Sequence, residues 1–270
     1  MNSRSRGRYD RAESQLRKAC DLAEQSWSSN PEKLASVLNS LALVKKDTAK
    51  YDEAGSLYSR SLILLERSVG SLHPKIASIY HNLAGLEHAR GNFAAAEPLA
   101  RKGIAIRERT NGSGHPQFAA DLAAFAAILT GLQKYDEAES CSLRGLGLFE
   151  NMYGLDHREV ASTLNNLGAL YTARAQYGEA ENTLRRALGI REKRLGHRHP
   201  EVAVVLNNLG VLFRKKRDYA AAASFYRRAL SILEMSLSET DPRLTVCRNN
   251  CAQCLLAAES QPQKQGPPVA

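Results

Sequence analysis

A stretch of 42 residues written twice in succession, Glu159–Pro200 and then Glu201–Pro242, limits what this chain can fold into more than any other feature. Glu-Val-Ala-Ser-Thr-Leu-Asn-Asn-Leu-Gly-Ala-Leu-Tyr becomes Glu-Val-Ala-Val-Val-Leu-Asn-Asn-Leu-Gly-Val-Leu-Phe, and Tyr177, Arg186 and Glu192 return as Tyr219, Arg228 and Glu234. A fixed period of this size marks a stacked array, in which each unit buries its apolar face against its neighbours.

The register runs through nearly the whole chain. Aromatic anchors recur at Tyr9, Tyr51, Phe93, Tyr135, Tyr177 and Tyr219, each followed three residues later by alanine: Ala12, Ala54, Ala96, Ala138, Ala180 and Ala222. Two helices cross closely only where a side chain is small, so these alanines, with Gly85, Gly103, Gly145, Gly168 and Gly210, read as close-approach positions. A basic residue (Lys18, Arg60, Lys102, Arg144, Arg186, Arg228) and a glutamate (Glu24 and its equivalents up to Glu234) also repeat, which predicts ion pairs between successive units.

Leu164, Leu167, Gly168 and Tyr171 have the spacing of one helix face. Proline is favoured at the first helical position, so His73-Pro74, His115-Pro116, His199-Pro200 and Asp241-Pro242 each open a helix, with the histidines as caps. At His157-Arg158 the proline is replaced, and Asn30-Pro31 sits one residue early. Each repeat thus predicts an antiparallel pair, helix A of about 15 residues and helix B of about 18. Pro98 falls inside a B helix and predicts a kink.

The count comes to an unpaired B from Tyr9, five A–B pairs over Glu32–Leu237 and a final A from Arg243 to about Ala258: an all-α solenoid of about twelve antiparallel helices. Residues 1–8 are expected to be a flexible N-terminus, 9–258 the array, and 259–270, rich in Gln and Pro, a disordered tail. The first B lacks its A, which fits a natural short form or a longer chain upstream.

The Leu-x-x-Leu-Gly-x-Leu-Tyr helix, the Tyr-x-x-Ala-x-x-x-x-x-Arg-Ala-Leu helix and the period resemble tetratricopeptide repeats of the kinesin-light-chain type over residues 9 to about 258. The heptad region through which kinesin light chains join heavy chains is absent, so the resemblance implies a right-handed superhelix and not a motor subunit. Nor does the chain contain a Gly-x-x-x-x-Gly-Lys loop of the kind found in signalling ATPases that carry similar arrays.

Function follows from the strip that an A helix leaves uncovered between two apolar arcs. In the unit beginning at Glu159 it holds Asn165, Asn166, Ala169, Thr172 and Ala173; the leading pairs elsewhere are Asn39-Ser40, His81-Asn82, Ala123-Ala124, Asn207-Asn208 and Asn249-Asn250. Asparagine offers a donor and an acceptor and can hold the main chain of an extended peptide whatever its side chains. The resemblance implies this role for Asn165, Asn207 and Asn249, whereas Asn166 and its equivalents are divided between ligand contact and bonding to neighbouring helices. Four such bonds at about 0.5–1.5 kcal/mol each reach only weak binding, so pockets and charge must add the rest.

Lys45, Lys46, His88, Arg214, Lys215 and Arg248 lie at or beside the strip, and the net charge is +9. The middle repeat, with Ala120, Ala123, Ala124, Ala127 and Thr130, is bare and apolar. Together they predict an acidic peptide partner with at least one bulky apolar residue. The groove set is therefore Asn39, His81, Asn82, Asn165, Asn166, Asn207, Asn208, Arg214 and Asn249.

Other classes are a regulatory sensor, whose groove ligand controls a second protein, and a nucleic-acid-binding repeat, against which stands the lack of aromatics for stacking. Catalysis is not expected: His81 and His88 share a groove face on which no nucleophile or carboxylate is expected beside them. Cys247, Cys251 and Cys254 read as core and not as metal ligands, and no cofactor is implied. Five unframed cysteines suit a reducing compartment. Met1–Arg8 is unlike a signal peptide and no apolar run reaches the roughly 20 residues of a membrane span, so a cytoplasmic protein is expected.

Overall fold

A computed structural model describes residues 3–25, 30–236 and 241–260. Twelve α-helices and no strand occur among them. The A helices are α2 (Pro31–Asp47), α4 (Pro74–Ala89), α6 (Pro116–Gly131), α8 (Arg158–Ala173), α10 (Pro200–Lys215) and α12 (Pro242–Glu259). The B helices are α1 (Ser3–Gln25), α3 (Tyr51–Val69), α5 (Phe93–Asn111), α7 (Tyr135–Tyr153), α9 (Tyr177–Leu195) and α11 (Tyr219–Ser236). This is the α-solenoid expected from the period. The chain divides into two compact units, Ser3–Leu155 with α1–α7 and, from Asp156 on, α8–α12.

Two boundaries differ from the sequence reading. α1 starts at Ser3, ahead of the Tyr9 marker, so the segment expected to be flexible is helical from residue 3. α12 carries Glu259, and Ser260 closes it with a bond to the Leu256 carbonyl at 3.1 Å. The expected disordered tail otherwise lies outside the described residues.

Local chemistry explains why each A helix begins where it does. The Nδ1 atoms of His73, His115 and His199 each accept from the backbone N–H two residues on, at 3.2 Å. His157 does the same for Glu159 at 3.3 Å without a following proline, so the side chain and not the imino acid sets the start. Asn30 and Asp241 cap α2 and α12 in the same manner. α5 runs through Pro98 as one helix.

The small residues do what close packing requires. Ala54, Ala96, Ala138, Ala180 and Ala222 are all fully buried. A methyl added at Gly168 would stand 2.5 Å from Leu184 Cγ, and one at Gly210 would stand 2.6 Å from the Tyr226 ring. Gly103 and Gly145 lie over the Ala77 and Ala119 carbonyls, 3.2 Å from an added Cβ. Gly85 departs from the expectation: an added Cβ meets only Lys46 Nζ, at 3.9 Å, because the close-approach position of its repeat is Ala84.

The predicted ion pairs link B helices one repeat apart: Arg60–Glu24 at 2.7 Å, Arg144–Glu108 at 2.8 Å, and Arg228–Glu192. At Lys102 the pattern breaks; its ammonium donates to Tyr80 Oη at 3.1 Å and stands 5.0 Å from that ring's centre. These pairs are half-exposed, and each adds under about 1 kcal/mol.

Candidate functional site: an amide-lined groove

In the N-terminal unit α2, α4 and α6 stand side by side and present their uncovered strips together. Asn39 and Asn82 are half-buried there, and Asn82 Nδ2 donates to Asn39 Oδ1 at 2.8 Å. The bond uses one acceptor and one donor of the pair and leaves the Asn39 amino group and the Asn82 carbonyl able to bond elsewhere.

His81 has a partner that its sequence neighbours do not disclose. Its Nδ1 lies 2.7 Å from Oδ1 of Asp121, a carboxylate on α6 that is 5% exposed. The other Asp121 oxygen accepts from Arg107 Nε at 2.5 Å, and Arg107 also donates to Gln117 at 2.6 Å and Ser78 at 3.3 Å. The expectation that no carboxylate stands beside His81 is therefore corrected: stacking brings one from the next repeat. The arrangement fixes His81 with Nδ1 donating, and it supplies no nucleophile.

A signal for this network was present in the register. Arg107 replaces Leu65, Phe149 and Leu233 of other repeats, and Asp121 replaces Ile79 and Val205. A charge at a position buried in most repeats needs a buried partner. Arg191 is the counterpart of Arg107 two repeats on. Its guanidinium meets Ser162 at 2.9 Å and pairs with Glu201, but Val205 stands where Asp121 would, and Nε is buried without a partner among the described residues. Burial pushes the Arg191 pKa down.

Beside His81 the groove opens into a recess of about 180 Å³ between α4, α5 and α6, lined among others by Ala84, Ala100, Gly103, Ala124, Ala127 and His88. Of the alanine-rich section picked out from the sequence only Ala124 and Ala127 line it; the rest of the wall comes from α4, α5 and the inner face of α6. Burial, with the charge of Lys46 second, lowers the His88 pKa, so this histidine is neutral near pH 7 and adds no positive charge to the groove. Its ring meets Phe93 edge-on at 5.4 Å.

One further charge assignment is corrected. Lys45 is 1% exposed and sealed on Glu13 at 2.8 Å and Glu53 at 2.5 Å, because it occupies a position held by Leu129 and Phe213 in other repeats. Arg248 is exposed but paired with Glu234 at 2.8 Å. Lys46, by contrast, does reach the groove wall at Gly85.

In the C-terminal unit α8 and α10 repeat the amide bond: Asn208 Nδ2 donates to Asn165 Oδ1 at 2.9 Å. Asn165 is 9% exposed and also donates to Asn166 Oδ1 at 3.5 Å, so it bonds neighbouring amides while Asn166 faces out. The expected roles of first and second asparagine are exchanged at this pair. Asn207 is half-buried and Asn249 exposed, and among the described residues no side-chain bond engages either. Thr172, expected on the strip, is buried and donates to the Gly168 carbonyl at 2.8 Å; the outward residues of α8 are Asn166, Ala169 and Ala173.

Arg214 and Lys215 close this section around a hollow of about 370 Å³ shared with Tyr219, Gln253 and Cys254. Arg214 Nε is buried without a partner among the described residues. Cys247, Cys251 and Cys254 lie in the core, where burial pushes the Cys247 thiol up to about 11.

Helix pairs stacked at a constant period, with polar amides along the uncovered face, define an α-solenoid of the kind that presents concave surfaces to other proteins. The tetratricopeptide-repeat model matches residues 33–109, 118–193 and 184–235, and the chain belongs to that family. Among solved structures it is similar to BtubC (BKLC) from P. vanneervenii, at 20% identity over 97% of this chain and 96% of that one, with a TM-score of 0.67. A putative kinesin light chain from Podospora anserina with nearly identical repeats matches at 21% identity over 77% and 99% of the two chains, TM-score 0.63. A Rap protein complexed with Competence and Sporulation Factor matches at 17% identity over 92% and 74%, TM-score 0.69. These likenesses define the fold. No curated protein sequence matches the chain. No helix among the described residues is long and apolar enough to cross a membrane.

Proposed function

We propose that this protein is an interaction scaffold that holds an extended, acidic segment of another protein along the A-helix strips. The observation that carries this reading is the pair of inter-repeat amide bonds, Asn39–Asn82 and Asn165–Asn208, on the uncovered face. Such bonds hold the amides in fixed orientations: Asn39–Asn82 keeps an unused donor and acceptor, and beside the buried Asn165 the accessible amides are those of Asn208 and Asn166, which suits the alternating C=O and N–H of an extended main chain. Acidity is favoured by Lys46, Arg214 and Lys215, cations of the two strips for which no carboxylate partner occurs among the described residues. Catalysis is not part of this reading.

Fluorescence anisotropy with matched acidic and basic versions of one extended peptide library tests it. The acidic set is expected to bind at least tenfold more tightly at low salt, to lose that advantage as salt screens the cations, and to weaken with Asn207→Ala together with Arg214→Ala. Equal binding of both sets would remove the charge argument, and no binding of either would remove the peptide. The neighbour solved with Competence and Sporulation Factor favours a second reading, in which the groove ligand regulates the binding of another protein.

A further inference from the structure

The recess beside His81 exists because one side chain of the repeat is missing. At the position of Ala100 the six B helices carry Leu16, Tyr58, Ala100, Ser142, Leu184 and Tyr226, and alanine is the smallest. Where the residue is large, it lies over the close-approach position of its own A helix. Leu184 covers Gly168, Tyr226 covers Gly210, and Tyr58 joins Ala42 in one core cluster, all three side chains fully buried. In α4 and α5 the corresponding pair is Ala84 and Ala100, and both line the recess of about 180 Å³. Phe125 and Ile128 complete the apolar wall, and His81, held by Asp121, stands at the edge.

The vacancy has the dimensions of what its sister repeats place there. An apolar cavity of about 150 Å³ admits a benzene ring, so a space of this volume accommodates a phenyl or phenol group without rearrangement. It opens on the same face as Asn39 and Asn82, next to the uncovered strip of α6 where Ala123 and Ala124 replace the amides. A main chain held on the amides of α2 and α4 would reach a section with no amide to bond and a ring-sized space to fill.

We infer that the Ala84–Ala100 recess is the anchor site for a phenylalanine or tyrosine ring of the bound partner, taking the place that Tyr58 and Tyr226 fill within their own repeats. This deepens the scaffold reading and rests on it for the identity of the ring's owner. The site itself can be read without any peptide.

The test uses the full chain and p-cresol, the free side chain of tyrosine, followed by amide NMR. p-Cresol is expected to shift the signals of Ala84, Gly85, Ala100 and Gly103 in the wild-type protein. Ala100→Tyr fills the space with the chain's own ring: those shifts disappear, the affinity for a ring-bearing acidic peptide falls at least tenfold, and the melting temperature rises by about 2–5 °C as the void closes. Ala100→Leu, the choice of the Leu184 repeat, should act in the same direction and guards against misfit of the larger ring. Shifts that are absent in the wild type, lie elsewhere, or survive both substitutions would overturn the assignment. An acidic peptide whose binding ignores Ala100→Tyr would also overturn it while leaving the scaffold reading intact; p-cresol binding in a protein that takes no acidic peptide would overturn the scaffold reading and leave the ring site standing.

Discussion

Lys45 shows how one residue can obey the repeat in position and break it in chemistry. Burial opposes its charge, but the hydrogen bonds it donates to Glu13 and Glu53 outweigh that penalty and raise its pKa. The Lys45 hydrogen bond holds Glu13 down from the ordinary 4.5 to about 2. A carboxylate with a depressed folded-state pKa stabilises the fold above its unfolded value and loses that contribution as pH falls through the folded one. Glu13 therefore stabilises fully above about pH 4.5 and fades toward pH 2. Glu13→Gln is expected to cost about 1–2 kcal/mol at pH 7, with Glu53 still in place, and much less at pH 2.5. Urea unfolding at both values checks it, and an equal loss at the two would show that the carboxylate's charge is not the cause. A second residue-scale prediction comes from Arg191. Val205→Asp rebuilds at Arg191 the contact that Asp121 makes with Arg107, with Asn165 in place of His81. The variant should stay within about 1 kcal/mol of wild type, whereas the same change at Val202, also fully buried but far from any such need, should cost 3 kcal/mol or more. Equal losses in urea would sink the argument.

At the scale of the element, two glycines that look alike in sequence have different tasks. Gly210→Ala drives a methyl into the Tyr226 ring and should cost about 1–3 kcal/mol, while Gly85→Ala meets only the end of Lys46 at ordinary contact distance and should gain up to about 1 kcal/mol from helix propensity. Thermal melts of the two variants moving in the same direction would contradict this account. Helix starts were legible because a cap is a local bond between a side chain and a backbone N–H two or three residues away. The turn from A to B was less so: Ala49, Gln133, Ala175 and Arg217 hold positive φ near 60°, and only Gly91 announces that the position is left-handed. Tertiary packing of the two helices holds the others there against their preference.

For the whole molecule, what the sequence by itself determined is everything that a repeat copies. The period set the count of helices, the aromatic–alanine spacing set where helices cross, and the recurring arginine and glutamate set the pairs between B helices. The net charge of +9 set the sign of the expected partner. Each of these is written several times over, so a departure in one repeat does not hide it. What only the tertiary structure decided is which departures meet. His81 and Asp121 belong to different repeats, Lys45 finds Glu13 on the preceding helix, and Asn165 is engaged by Asn208. Ala84 and Ala100 are each ordinary small residues until they face one another across a space that no other side chain fills. The physical reason is that buried charges, amides and voids take their properties from neighbours brought close by stacking, and a linear register names the positions without saying what each one touches.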